Sequence, residues 1–320
     1  MTKWMMALAG AMAMLAAPTT VARAQSTVAR IVVPFAAGGG QDVLARVIAP
    51  ELGAQLGETF VVENRAGAGG ALGAADVARA KPDGLTLLMA ASSHTISAAL
   101  DRKAPFDPVK DFTAVAHVGT GAYIFLVNAK IPAKTVADFI AYARIKAGKL
   151  NYASAGVGSA THLAMAYFAS RAQINVVHVP FKSTAEALNS LIGGDTEALI
   201  VPTLGSQAFV GNPAIRLLAV VSKQRIPTYP DVPTVDESGL PGFEFTSWFG
   251  LLGPANIPAD VTQRLNDAAA KTIAIPRVAA AIAQQGIEPR PMSSAAFTQL
   301  LTDNYASMKT IVAAAGIAGD

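Results

Sequence analysis

Two short segments mix glycines with hydroxyl, amide and carboxylate residues. They run from Phe35 through Ala37, Gly38, Gly39, Gly40 and Gln41 to Asp42, and from Ser154 through Gly156, Val157, Gly158, Ser159 and Thr161 to His162. Each follows a run of apolar strand formers and precedes a helical pattern. A strand that ends in glycines and turns into a helix leaves unpaired backbone N–H groups at the positive end of the helix dipole, where an anion is favoured. Glycine also serves a plain tight turn, so one such loop says little. Two, one in each of two expected lobes, point two helix N-termini into one cleft if the lobes face each other. A carboxylate held there receives charge-assisted bonds of about 1.5–3 kcal/mol each, and micromolar affinity needs only about 8.2 kcal/mol net.

Other chemistries fail on spacing. A dinucleotide fingerprint needs glycine where Val43 and Leu72 stand, and no phosphate-loop lysine motif occurs. The four histidines, His94, His117, His162 and His178, lie on separate segments without zinc-ligand spacing. No serine sits in a G-x-S-x-G elbow, and the absence of cysteine removes thiolate nucleophiles, disulfides and cysteine-held metals. No catalytic residue, metal or cofactor is therefore assigned. Asp42 reads either as a first-turn carboxylate or as a ligand contact, and Ser159 or Thr161 either as donors or as helix caps. For His162, donation to a carboxylate and plain packing stay open, whereas His178 reads as a satisfied core-edge residue.

The elements that must position these residues alternate as in βα units. Strands are expected at 31–35, 60–63, 85–90, 175–181, 196–201 and 216–221, with helices between. Pro50 should kink or end the first helix early. The stretch 113–128 is too long for one strand and is interrupted at Gly119 and Gly121, so it suits a passage between lobes; 243–254 suits the return. Thr135 and Asp138 mark a helix start.

Ahead of all this, Lys3 is followed by an apolar, charge-free stretch to Pro18, and Ala22-Arg23-Ala24 offers a small-x-small cleavage site. The expected export leader ends at Ala24. It removes Lys3 and Arg23, leaving 23 basic against 22 acidic residues, a net charge of +1 with no call for nucleic acid. The remaining 296 of 320 residues suit two lobes better than one core.

The blocks "IVVPFAAGGGQDVLARVIAPEL", "FVVENRAGAGGALGAADVARAKPDGLTLLM", "PAKTVADFIAYARIKAGKLNYASAGVGSATHL" and "IPTYPDVPTVDESGLPGFEFTSWFGLLGP" occur in order over nearly all of the mature chain. Together they resemble the substrate-binding proteins of tripartite tricarboxylate transporters, the Bug family. The resemblance implies an α/β, two-lobed type II periplasmic-binding-protein fold with two hinge crossings: domain 1 from 25–126 and 243–320, domain 2 from 127–242. It implies a periplasmic, non-catalytic protein that captures a dicarboxylate, tricarboxylate, amino acid or aromatic acid and hands it, as a monomer, to membrane permease subunits. Presentation of the ligand to a sensor kinase is the alternative. Ligand contacts carried over are Phe35, Ala37, Gly38, Gly39 and Asp42 in one lobe and Ser154, Gly156, Val157, Gly158, Ser159 and His162 in the other. Ser92, Ser93 and Thr203 join them from neighbouring strand ends. Gln41 replaces a commoner small hydroxyl residue, and Phe181-Lys182-Ser183 replaces Tyr-Lys-Gly, which puts the ligand's identity in question more than the fold.

Overall fold

A computed structural model describes residues 28–100, 105–203, 206–314 and 316–317. The expected leader and its cleavage after Ala24 lie outside the described residues.

The strands form two mixed sheets. The first holds β1 (Val28–Val33), β2 (Thr59–Asn64), β3 (Thr86–Ala91), β4 (Phe112–Gly121), β10 (Ser247–Pro254) and β11 (Ile287–Pro289), ordered β11-β4-β10-β3-β1-β2. The second holds β5 (Tyr123–Asn128), β6 (Asn151–Ser154), β7 (Val177–Pro180), β8 (Ala198–Pro202) and β9 (Ile215–Val220), ordered β7-β6-β8-β5-β9. Each sheet begins as a parallel triplet and then takes one antiparallel strand, β10 in the first and β5 in the second. β10 and β5 are the strands the crossings deliver: β4 breaks at Ala122 into β5, and the segment after β9 returns as β10.

The helices are α1 (Gly40–Leu56), α2 (Ala71–Ala78), α3 (Ser93–Leu100), α4 (Val136–Ile145), α5 (Ala160–Ala172), α6 (Thr184–Gly193), α7 (Gln207–Val210), α8 (Ala259–Ile273), α9 (Pro276–Gln284) and α10 (Ser294–Ala314). Apolar runs of 3.6 period bury one face of each long helix on a sheet. The expected Thr135–Asp138 start is present as a reciprocal capping box on α4. Pro50 does not end α1. It sits on the exposed side, and the helix continues to Leu56.

Two helices tie the lobes together. Phe297 and Leu301 of α10 pack with Val32 and Leu88 of the first sheet, while Met308, Ile311 and Val312 join Phe125, Phe139 and Phe168 of the second. Between these halves Asn304 Oδ1 accepts from Thr95 Oγ1 of α3 at 2.6 Å and from Trp248 Nε1 of β10 at 3.1 Å. Ile96 and Leu100 of α3 also reach the second core.

Candidate functional site

The two glycine loops hold equivalent places, each following the central strand of its parallel triplet and opening the next helix. In the first, Gly38 has a left-handed φ of 85° and donates its N–H to Asp42 Oδ2 at 2.9 Å. In the second, Gly158 has φ 76° and donates to His162 Nδ1 at 3.1 Å. Counted from the caps Gly39 and Ser159, Asp42 and His162 are both the third helical residue. One backbone arrangement is thus closed by a carboxylate in one lobe and by an imidazole in the other.

Asp42 is only 3% exposed. It also accepts from Arg46 Nε at 3.0 Å and Asn64 Nδ2 at 2.9 Å, and Arg46 Nη2 in turn reaches Asn64 Oδ1 at 3.1 Å. The Arg46 hydrogen bond, helped by those from Gly38 and Asn64, holds the carboxyl at about 2 despite its burial. Asn64 Nδ2 also reaches the Phe35 carbonyl at 3.1 Å, so the carboxylate braces the whole turn. Gln41 Nε2 donates to the Met89 carbonyl at 2.9 Å. Phe35 is half-buried and Ala37, Gly38 and Gly39 are exposed. The N–H groups of Gly39, Gly40 and Gln41 have no acceptor among the described residues, and Gly39 provides no side-chain cap.

The second loop satisfies itself with neutral groups. Ser159 Oγ accepts from the His162 N–H at 3.2 Å and donates to the Gly156 carbonyl at 2.7 Å; Thr161 Oγ1 accepts from the Ala155 N–H at 2.8 Å. Ser154 is buried, its hydroxyl accepting from the Gly156 N–H at 3.1 Å and lying 2.6 Å from His178 Nε2. Val157 stands at the tip, 71% exposed. The N–H groups of Val157, Ala160 and Thr161 have no acceptor among the described residues.

The second lobe also joins two histidines that the sequence separates. The His162 and His178 rings stack with centroids 3.7 Å apart and planes 5° from parallel, with Tyr152 5.0 Å from His178. β7 lies parallel to β6 with Tyr152 opposite His178, which brings that ring diagonally to Ser154, while α5 lays His162 on top. Burial, with the neighbouring His178, lowers His162 to about 4, and burial lowers His178. His178 is a satisfied residue of an edge strand, as expected, half-buried on β7 with Ser154 Oγ at its Nε2; its stack on His162 is what the linear order does not show.

The hydroxyls assigned from neighbouring strand ends divide. Ser92 is buried and its Oγ accepts from the Trp248 N–H at 2.8 Å, bridging β3 to β10. Thr203 is buried too, its Oγ1 donating to the carbonyls of Ala122 at 3.1 Å and Gly286 at 3.3 Å, which ties the first crossing to the turn before β11. Ser93 differs: half-buried at the start of α3, it lines a small open cavity with Phe35, Gln41, Gly70, His94 and Phe106. This cavity sits outside the carboxyl ends of β1 and β3, where chain order reverses across the sheet, a usual ligand position in α/β folds. His94 Nε2 donates to the Pro108 carbonyl at 3.0 Å and the ring stacks on Phe106, and burial lowers it to about 4. The described residues contain no cluster of side chains able to hold a metal.

Residues 44–317 match the model of the tripartite tricarboxylate transporter family receptor. A UPF0065 protein from the tcbD–tcbE intergenic region of Pseudomonas sp. strain P51 is 36% identical over 258 residues, 80% of this chain and 77% of that one. The solved periplasmic binding protein BugD is 30% identical, with a TM-score of 0.73 over 92% of this chain and 99% of its own. An R. palustris protein, Rpa4515, solved with adipate, is also 30% identical, with a TM-score of 0.77 over 92% and 99%.

Proposed function

The chain belongs to the tripartite tricarboxylate transporter receptor family, and on that premise we propose that it captures a small carboxylate between its lobes and hands it to the permease subunits of such a transporter. The observation that carries this reading is the pair of equivalent strand–glycine–helix loops, one per sheet, each with N–H groups left unpaired for an anion. The relative solved with adipate supports the ligand class.

The proposal extends to the finer assignments. The expected lobe bounds at 126 and 243 move to the crossings: lobe one comprises 25–122 and 247–320 and lobe two 123–246, since β5 from Tyr123 pairs in the second sheet and Phe243 and Phe245 pack in the second core; the exported chain begins after Ala24 and works in the periplasm as a monomer. The ligand is held by the first loop's backbone from Phe35 to Gly39 and by Gly156 to Ser159 with His162. Ser93 joins from the cavity, while Asp42, Ser92, Ser154 and Thr203 shape the site from behind. The ligand leaves unchanged in this reading: Ser154 Oγ lies 2.6 Å from His178 Nε2, but the hydroxyl is fully buried and also accepts the Gly156 N–H of its own loop.

A thermal-shift screen of mono-, di- and tricarboxylates tests this, with native mass spectrometry of any co-purified acid. A true ligand at one hundred times its Kd stabilises the protein by about 2.7 kcal/mol. The reading falls if no carboxylate raises the melting temperature, and the claim of no turnover falls if the purified protein transforms a bound acid.

A further inference from the structure

A histidine at an anion site is ordinarily taken to act as a cation, gaining a proton near its usual value of about 6.5 and attracting the ligand by charge. His162 is placed differently. Its Nδ1 accepts the Gly158 N–H at 3.1 Å, and a backbone amide is always the donor. An imidazolium carries hydrogens on both nitrogens and cannot accept that bond. The proton of the ring is therefore on Nε2. That nitrogen has no acceptor among the described residues and is not sealed from solvent, although the residue is only 6% exposed.

The surroundings favour the same state. His178 lies flat against the ring at 3.7 Å, where two positive imidazoles would repel. His178 Nε2 and Ser154 Oγ, 2.6 Å apart, fix that second ring, and Ser154 in turn holds the Gly156 N–H of the same loop. The other neighbours of the pair are Tyr152 of β6, whose phenol burial pushes up to about 12, and the neutral Ser159 and Thr161 of the first turn of α5. No carboxylate or cation forms an ion pair with either ring among the described residues.

We propose that His162 meets the ligand as a neutral Nε2–H donor, and that His178 is a positioning residue that keeps it neutral and oriented by stacking on it and by holding Ser154. The proposal rests on the carboxylate reading above. It assigns the second lobe a binding surface without formal charge, in which the loop amides and one imidazole N–H do the recognition. It also makes the sign of the pH response opposite to that of a cationic site: protonating Nδ1 breaks the Gly158 bond and opens the loop.

The test measures the affinity of the intact protein for adipate from pH 8 to pH 6, alongside nitrogen-15 NMR of the histidine rings without ligand. An imidazolium site of ordinary pKa gains about 25-fold over that range, the ratio of its protonated fractions. The neutral donor predicts a change of less than about twofold and an Nε2–H tautomer for His162 throughout. His162→Gln, an uncharged side chain with both an acceptor and a donor, retains affinity within about tenfold, and His162→Lys loses more. His178→Phe keeps a stacked ring without the nitrogen facing Ser154, and lowers affinity about three- to tenfold with the loop amides of Gly156 and Gly158 shifted in the NMR spectrum. A rise in affinity toward pH 6, rescue by lysine or an Nδ1–H tautomer overturns the proposal. If adipate does not bind, the ring tautomer still decides it; if no carboxylate binds at all, the function falls while the tautomer result stands separately.

Discussion

Gly38 and Gly158 adopt the same left-handed backbone and give their N–H to the residue four positions on, yet Asp42 carries a charge and His162 does not. Loop one is braced by a buried carboxylate with Arg46 and Asn64 behind it, and leaves three consecutive amides open at its helix start. Loop two closes most of its own bonds through Ser154, Ser159, Thr161 and two stacked rings. The same turn can be stabilised by charge or by neutral groups, but the two choices differ in how they respond to acid and to an incoming anion. Asp42 opposes an anion and Arg46 offsets it; loop two presents its helix dipole without either.

The largest effect should come from removing the charged brace. Asp42→Ala removes the acceptor of the Gly38 N–H and of Arg46 Nε and one of the two bonds of Asn64 Nδ2, and urea unfolding should show a loss of about 3 kcal/mol. A loss under about 1 kcal/mol would mean that loop one is held by its backbone alone. His162→Ala should cost less, because the bond it breaks is neutral.

Acid separates the loops next. His94 and His162 have folded values of about 4, below the unfolded value of about 6.5, so the unfolded chain binds more protons between those limits. Their contribution is complete above pH 6.5 and is lost as pH falls toward 4, at about 1.4 kcal/mol per pH unit for the buried His94. Asp42 is lowered from 3.8 to about 2, so its contribution holds down to pH 3.8 and is lost only below it. Denaturation at pH 7, 5 and 4 should show this slope, and His94→Phe should reduce it; a flat profile contradicts the assignment.

Smaller differences follow at the glycines and caps. Alanine at Gly38 meets open space and pays only the left-handed strain of about 1 kcal/mol. At Gly158 the new Cβ also lies 3.0 Å from Leu100 Cδ1 of the other lobe, so Gly158→Ala should destabilise more. Ser159→Ala removes the cap of α5 and costs about 1 kcal/mol. Gly39→Ser gives α1 the cap it lacks, in extended backbone with the nearest atom 3.6 Å away, and should gain a few tenths of a kcal/mol. Equal and opposite effects at Ser159 and Gly39 would show that the loops differ at the closing side chain alone.

Much of the architecture is legible because its causes are local. The Thr135–Asp138 start, the alternation of strands and helices, and the break near Gly121 follow from capping, period and glycine placement within a few residues. Pro50 misleads because the cost of proline depends on which side of the helix its unpaired carbonyl faces, and that side is set by packing. The short helix α3 is not among the expected elements; its Thr95 and Ile96 are held by α10 and the second core, contacts distant in the chain. Ser92 and Thr203 look like free donors at strand ends; only the pairing of β3 with β10 and the seat of Gly286 beside Thr203 give their hydroxyls partners.

The two glycine loops and the two-lobed plan are carried by the amino-acid sequence, because turn chemistry and helix starts are properties of neighbours along the chain. Only the tertiary structure decided which side chain closes each loop, that Asp42 is a brace, and that His162 and His178 form one stacked unit. Those facts rest on contacts between α1 and the end of β2, and between α5, β6 and β7, segments whose distance in space the linear order does not set.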